Sequence, residues 1–157
     1  MTISDLLSPE RVVPKADITS KKRALEYLST LITESCPDLD QAEIFSSLLS
    51  REKLGSTGLG NRVALPHGRI AHDRPAVGAF VTAAVPVDFD AIDDQPVDLL
   101  FALVVPEEST DEHLQILAQL AEMFRDADFC ERLRQTSDPA ELLQLLSAWR
   151  TADSSVT

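Results

Sequence analysis

The segment DLLFALVV, at residues 98–105, decides the fold of this 157-residue chain. Seven apolar residues follow its aspartate without a break, and Pro106 then ends the run. A short, uninterrupted apolar run bounded in this way is typical of a strand that is covered on both faces. The segment therefore predicts the central strand of a sheet that lies between two layers of other elements.

Three other segments predict further strands, because they are short, largely apolar and rich in β-branched residues. The first of them follows an expected loose lead-in at residues 1–10. The predicted strands lie at residues 11–13, 63–65 and 77–85.

Apolar residues at helical spacing flank this middle part of the chain on both sides. Two helices are predicted before it, the first beginning at Thr19 or Ser20 and the second after Asp40, and Pro37 separates them. Three more are predicted after it, the first of them opening at Ser109 or Thr110. Helices first, strands in the middle and helices last predict an α/β fold, a three-layer α/β/α sandwich around a mixed parallel and antiparallel sheet. This pattern does not predict the strand order.

Length and composition indicate one globular domain, residues 1–150, followed by a short disordered tail at residues 151–157. The net charge of −12 at pH 7 argues against nucleic acid as a partner. We expect a cytoplasmic protein without direct membrane insertion, because no apolar run approaches the length of a membrane span and the first residues lack a signal-peptide pattern. Cys36 and Cys130 are predicted to be buried, reduced thiols, with a disulfide as the alternative.

The most cationic part of this acidic chain is the stretch from Arg51 to Arg74. It holds five Arg or Lys residues and two acidic ones, so its local charge is +3. Arg51 is expected on the last turn of the second helix, where the helix dipole favours a cation. The same stretch contains the sequence Pro66-His67-Gly68. A histidine in a positive stretch predicts a place where an anionic group meets an imidazole ring.

Three of the five glycines precede this histidine and lie within six residues of one another. Their order, GxxGxG after a helix, is neither a P-loop nor a dinucleotide-binding fingerprint, because the P-loop lysine is absent and the fingerprint's glycines open a helix. Glycine amides, together with serine and threonine hydroxyls, can approach an anion closely, so Gly55, Ser56, Thr57 and Gly58 are predicted to bind phosphate. The alternative is a helix stop followed by a tight turn, which needs no ligand.

His67 is the candidate nucleophile of this stretch. An imidazole has one unprotonated ring nitrogen at neutral pH, and it can attack phosphorus without a separate base. The negative charge of a phosphorylated ring needs nearby cations; Arg51 is the first candidate, with Arg62 and Arg69 as further candidates. The alternative is a structural or exposed histidine without a catalytic role.

His113 is the second candidate, because it falls in the first turn of the predicted third helix and on its inward-facing stripe. The helix dipole disfavours a charged imidazolium there, so a neutral, hydrogen-bonding ring is expected. The alternative is a histidine at the edge of the core. His72 is expected to be an exposed loop residue. The three histidines are spaced unlike any common zinc signature, so no metal site is predicted, and the absence of a GxSxG motif argues against a serine hydrolase.

Five segments of this chain together resemble the enzyme IIA proteins of the phosphoenolpyruvate-dependent phosphotransferase system. The resemblance is closest to the nitrogen-regulatory type, with the fructose and mannitol types as relatives. It extends from about residue 9 to Trp149, and the PHG and DAIDDQPVDLLFAL motifs are specific in combination. The segments are SKKRALEYLSTLI (20–32), REK (51–53), GSTGLGNRVALPHG (55–68), FDAIDDQPVDLLFALVVPEE (89–108) and HLQIL (113–117).

The resemblance implies the same three-layer fold and a phosphoryl carrier that uses no metal or organic cofactor. It implies that His67 is phosphorylated at Nε2 by a small histidine phosphocarrier protein, that His113 helps to hold the phosphoryl group and that Arg51 lies near the site. Three departures from residues common in relatives are expected to tune the choice of donor or partner. They are Arg62, Arg69 and Gln115.

We therefore expect a phosphotransferase of the nitrogen-regulatory type, whose phosphohistidine state regulates target proteins rather than serving metabolic turnover. A potassium transporter or a sensor kinase is an example of such a target. One alternative is a sugar-specific IIA component of the fructose or mannitol type, which passes phosphate to a IIB transporter subunit. Another is a regulatory binding module that is never phosphorylated. Leu59 and Leu65 are candidates either for apolar docking contacts or for the core.

Overall fold

The computed structural model describes residues 2–72, 74–108 and 110–149. The predicted tail at residues 151–157 lies outside the described residues, as does Ser109, one of the two residues predicted to open the third helix.

Helices occupy both ends of the described chain, and strands occupy its middle. Four helices begin at an N-cap residue whose side chain accepts a hydrogen bond from a backbone N–H of the first turn. These N-cap residues are Ser20, Asp40, Asp126 and Asp138. The helices are α1 (Ile3–Leu6), α2 (Lys21–Ser35), α3 (Gln41–Lys53), α4 (Thr110–Met123), α5 (Ala127–Gln135) and α6 (Pro139–Ala148), with a 3₁₀ turn at Pro9–Arg11. The strands are β1 (Val12–Ala16), β2 (Gly58–Gly60), β3 (Val63–Ala64), β4 (His67–Ile70), β5 (Val77–Val87) and β6 (Val97–Pro106).

Strand β6, which contains the segment DLLFALVV, lies in the middle of the sheet. The order of the strands is β1-β5-β6-β3-β2, and β4 also pairs with β6 beyond the end of β3. Strand β5 is antiparallel to β6, whereas β3 and β4 are both parallel to it. Strand β1 is parallel to β5, and β2 is antiparallel to β3. The prediction of a mixed parallel and antiparallel sheet is therefore confirmed.

Alternate side chains of β6 are buried in two hydrophobic cores on opposite faces of the sheet, as strand geometry requires. Helices α2 and α3 complete one core, and α1, α4, α5 and α6 complete the other. The three-layer sandwich with β6 as its covered central strand is confirmed. In the first core lie Leu100, Ala102 and Val104, and in the second lie Leu99, Phe101, Leu103 and Val105.

The sequence prediction was wrong at the N-terminus and missed two strands. The described part of the predicted loose lead-in, residues 2–10, is not loose, because α1 buries Ile3 and Leu6 in the second core. Helix α1 has only four residues, too few to show a helical repeat. The segments Gly58–Gly60 and His67–Ile70 are strands although their glycines and charged residues give no alternating apolar pattern.

The two cysteines are buried on opposite faces of the sheet. Cys36 belongs to the core under α2 and α3, and Cys130 belongs to the other core. Both thiols are free, which confirms the expectation of buried, unpaired cysteines.

None of the helices in the described ranges is long and apolar enough to cross a membrane.

Candidate functional site

Close packing of strand β4 against helix α3 sets the direction in which His67 points. A Cβ at Gly68 would overlap Ser47 Oγ of α3 and lie 3.1 Å from the Ser47 Cβ. The Ser47 hydroxyl also donates to the Arg69 carbonyl over 2.8 Å, which fastens the strand to the helix. Because successive side chains alternate along a strand, His67 and Arg69 point away from α3, towards the face that carries α4.

The imidazole of His67 is held through one ring nitrogen. Its Nδ1 lies 2.8 Å from the carbonyl oxygen of Leu65, and since a carbonyl only accepts, Nδ1 carries the proton in this contact. The other nitrogen, Nε2, then holds an unprotonated lone pair. This geometry matches a nucleophilic Nε2.

The environment of His67 favours its neutral form. Partial burial of the ring lowers its pKa below the ordinary value, and the positive charges of Arg51 and Arg69 lower this pKa further. The hydrogen bond to Leu65 and the negative charge of Glu52 act in the opposite direction. The net direction is downward, so the ring is neutral at neutral pH.

Arg51 lies on the last turn of α3, as predicted, and its charge acts on His67. Its Nη1 donates to the carbonyl oxygen of Gly55 over 2.9 Å. The guanidinium thus supports the glycine loop (residues 55–60) and keeps further N–H donors for an anion.

The predicted phosphate-binding groups of the glycine loop already have partners within the protein. The Gly55 N–H donates to the Glu52 carbonyl over 3.1 Å, and the Ser56 hydroxyl donates to the Phe89 carbonyl over 2.8 Å. The Gly58 N–H donates to Ser56 Oγ over 3.1 Å. The Thr57 N–H and hydroxyl both donate to the Glu52 carboxylate. Direct contact with a phosphoryl group stays a prediction for these four residues, and it requires the donors named above to exchange partners.

His113 lies in the first turns of α4 and is 4% exposed, so its predicted inward position is confirmed. Its Nδ1 is buried and has no hydrogen-bond partner among the described residues. Burial lowers the pKa of His113, and the charge of Arg69 lowers it further. Arg69 therefore acts electrostatically on both His67 and His113, and both rings are neutral at neutral pH.

Two further candidates have partners elsewhere. Arg62 lies 3.6 Å from Asp98 and 4.0 Å from Glu131, so its guanidinium is directed to α5 and the start of β6. His72 is exposed, as predicted, and its Nε2 lies 3.6 Å from Asp38. Across the described residues, no cluster of three or more His, Cys, Asp or Glu side chains could hold a metal ion.

A cleft of about 800 Å³ opens beside α4. His113 lines this cleft together with His72, Arg74 and Glu112, but His67 does not. The cleft therefore reaches one of the two candidate histidines, His113, while His67 lies outside its lining.

Sequence analysis missed the role of Glu52. This carboxylate is buried, with a side chain that is 2% exposed, and it forms a 2.9 Å ion pair with Lys21. One signal pointed to it: an acidic residue on the last turn of a helix faces the negative end of the helix dipole and needs a compensating partner.

Comparison with known proteins shows similarity over nearly the whole chain. A family model described as "Phosphoenolpyruvate-dependent sugar phosphotransferase system, EIIA 2" matches residues 5–149. A nitrogen regulatory protein of Pseudomonas aeruginosa is 43% identical over 144 residues, which cover 92% of this chain and 94% of that protein. Among solved structures, nitrogen regulatory protein IIA-Ntr from Neisseria meningitidis matches with a TM-score of 0.86 and 43% identity, over 92% of this chain and 98% of that one.

The mannitol type is more distant. IIA mannitol from Escherichia coli matches with a TM-score of 0.75 and 26% identity, over 89% of this chain and 98% of that one. The nitrogen-regulatory type is therefore the closer of these two relatives in both sequence and structure. On the family match and on these relatives, the chain belongs to the EIIA 2 family of the phosphoenolpyruvate-dependent sugar phosphotransferase system.

Proposed function

We propose that the chain is a phosphohistidine carrier of the nitrogen-regulatory type, which accepts a phosphoryl group at Nε2 of His67. One observation carries the proposal: Nδ1 of His67 donates to the Leu65 carbonyl at 2.8 Å, which leaves the Nε2 lone pair free. The lowered pKa of the ring supports it, because a neutral imidazole is the nucleophilic form. The donor is a small histidine phosphocarrier protein, and no metal or cofactor takes part.

The transfer is a direct exchange between two imidazole rings. The Nε2 lone pair of His67 attacks the phosphorus of the donor's phosphohistidine. A P–N bond forms to His67 while the donor's P–N bond breaks, and the electron pair of that bond returns to the donor ring. Such a step depends on in-line positioning and on offsetting charge rather than on elaborate covalent chemistry.

Positive charge and one further histidine assist this exchange. Arg51 and Arg69, whose charges both act on His67, offset the charge of the phosphoryl oxygens. His113 donates from Nε2–H to a phosphoryl oxygen. Its buried Nδ1 has no acceptor among the described residues, and a buried N–H without a partner is costly, so the proton belongs on Nε2.

The phosphorylated form acts as a signal rather than as a step in bulk metabolism. A phosphoryl group adds about −1.5 to −2 charges at pH 7. Added to a stretch whose own charge is +3, it changes which target protein can dock there. A sequence identity of 43% to nitrogen regulatory proteins, against 26% to IIA mannitol, supports a regulatory over a sugar-specific role.

Phosphorylation of purified protein with phosphoenolpyruvate, enzyme I and the phosphocarrier tests the proposal. Wild type should acquire acid-labile label, His67→Ala should acquire none, and His113→Ala should be labelled more slowly. His72→Ala is the matched control, because its exposed ring is directed to Asp38, and it should label as wild type does.

Two outcomes contradict the proposal. If His67→Ala labels as well as wild type, the acceptor is another residue. If wild type never labels, the chain is a binding module in a carrier's fold. Transfer of the label from wild type to the cysteine of a IIB subunit would instead favour the sugar-specific alternative.

A further inference from the structure

Glu52 is connected to His67 by an unbroken series of hydrogen bonds, which we call the Glu52 chain. The Glu52 carboxylate accepts from the Thr57 N–H at 3.2 and 3.3 Å and from the Thr57 hydroxyl. The Thr57 carbonyl accepts from the Leu65 N–H at 3.0 Å, and the Leu65 carbonyl accepts from His67 Nδ1 at 2.8 Å. The buried carboxylate thus positions the residue whose carbonyl orients the reactive ring.

Lys21 stabilises this buried carboxylate through an ion pair and links it to a second loop. Its ammonium lies 2.9 Å from Glu52, 3.8 Å from Asp90 and 4.8 Å from the centre of the Phe89 ring. A buried carboxylate without a cation would be expensive, and a paired one with further hydrogen bonds is tolerated. The Ser56 hydroxyl reaches the same loop through the Phe89 carbonyl. Glu52 and Lys21 therefore join α2, α3, the glycine loop and the loop at residues 88–96.

From these contacts we propose that Glu52, paired with Lys21, is a positioning residue for phosphoryl transfer, and that it acts through Thr57 and Leu65 on the orientation and tautomer of His67. This role rests on the proposed carrier function. The carboxylate does not touch the phosphoryl group or the phosphocarrier, because its side chain is only 2% exposed. Loss of the carboxylate should therefore lower the transfer rate without weakening docking.

Two variants separate the effect of the carboxylate from the effect of its ion pair with Lys21. Lys21→Met removes the cation at a cost in stability and keeps the carboxyl group, whose remaining partners are the Thr57 N–H and hydroxyl. Lys21→Met/Glu52→Met then removes both the negative charge and the acceptor oxygens that face Thr57, without leaving an unpaired ammonium. Glu43→Met is the matched control, since it makes the same chemical change at an exposed position on the same helix. Circular dichroism and thermal unfolding curves are used to choose a temperature at which every variant is folded.

Kinetics and NMR then give independent readouts. Compared with Lys21→Met, the double variant should show a kcat for labelling by the phosphocarrier that is about tenfold to 100-fold lower. Small misplacements of a reacting group have effects of that size. KM for the phosphocarrier should stay within about twofold. In ¹⁵N spectra of unphosphorylated protein, the double variant should lose the uniform Nδ1–H tautomer of His67. The pKa of His67 should also fall, because the negative charge of Glu52 raises it.

The proposal is overturned if the folded double variant keeps the kcat of Lys21→Met. It is also overturned if kcat falls while the His67 tautomer is unchanged, because the Glu52 chain is then not the route. Failure of the carrier function itself gives a different result, namely no labelling of wild type, whereas the tautomer measurement needs no phosphoryl donor.

Discussion

At the scale of single residues, the candidate site contains two histidines that are held differently. His67 donates through Nδ1 to a carbonyl, so its other nitrogen is free to react. His113 has its Nδ1 buried without a partner among the described residues. Burial is the main cause that lowers the pKa of both rings, and Arg69 adds to it in both cases. Opposite tautomers would give one nucleophile and one hydrogen-bond donor, which are the two functions that a phosphoryl acceptor site needs.

These lowered pKa values predict a pH dependence of stability. In the unfolded chain both histidines titrate near their ordinary value of about 6.5. As the pH falls through that value, the unfolded chain binds protons that the folded chain does not, so the free energy of unfolding decreases until the lower folded pKa values are passed. Urea unfolding at pH 7.5 and at pH 5.5 should show a larger loss for wild type than for His67→Gln/His113→Gln. Equal losses in the two proteins would contradict the lowered pKa values.

At the scale of secondary-structure elements, the contact between β4 and α3 determines the orientation of the strand that carries His67. Gly68 is required there because of space rather than because of a special backbone angle, since any Cβ would overlap Ser47. The Ser47 hydroxyl adds a hydrogen bond to the carbonyl of the next residue, Arg69. Glycine thus lets the strand lie directly on the helix and turns the flanking side chains to the other face of the sheet.

Gly68→Ala should therefore destabilise the protein by about 1–3 kcal/mol, as expected when a methyl group is forced into a packed contact. Ser47→Ala should cost only about 1 kcal/mol, because it removes one hydrogen bond. Combining the two should relieve part of the overlap, since the Ser47 Cβ and carbonyl carbon would still lie 3.1 Å from the new methyl group. Chemical denaturation of the three variants measures these differences. An unchanged midpoint for Gly68→Ala would show that α3 and β4 separate easily.

At the scale of the whole molecule, exposed apolar side chains lie on the segments around the glycine loop. Leu54 is 84% exposed, Leu59 is 46% exposed and Ile92 is 90% exposed. The loop that carries Ile92 packs on the glycine loop, where a Cβ at Gly58 would lie 2.8 Å from the Ala91 Cβ. Such side chains add nothing to the core, and exposed apolar groups beside a site are typical of a protein-docking surface. Leu65, in contrast, is 4% exposed and belongs to the core, so it is unavailable for docking.

Leu54→Ser/Ile92→Ser should therefore raise KM for the phosphocarrier about fivefold, which corresponds to about 1 kcal/mol of lost contact. Stability should barely change, because exposed side chains contribute little to folding. Val85→Ser is the matched control, since Val85 is 68% exposed but lies on β5, outside these two segments. Labelling rates at several phosphocarrier concentrations give KM. The docking assignment fails if the control raises KM as much as the double variant does.

Local patterns in the sequence were sufficient to predict the central strand and most of the helices that cover the sheet. The run at residues 98–105 marked the central strand, and apolar residues at helical spacing marked α2 to α6. These predictions succeed because the period of the apolar residues directly reports which faces are buried. The motif around His67 also pointed to the family, and the position of Arg51 followed from the end of its helix.

Tertiary structure alone decided how the candidate site is held. Strand β4 exists because it pairs with β6 and packs on Ser47, neither of which its own residues reveal. The hydroxyls of Ser56 and Thr57 look free in the sequence, yet they bond to Phe89 and Glu52. These hydrogen bonds join residues of different segments of the chain, and the local period of apolar residues carries no information about such contacts. For that reason the sequence by itself determined the layers and the candidate histidine, whereas the fold decided the tautomer of that histidine and the buried carboxylate behind it.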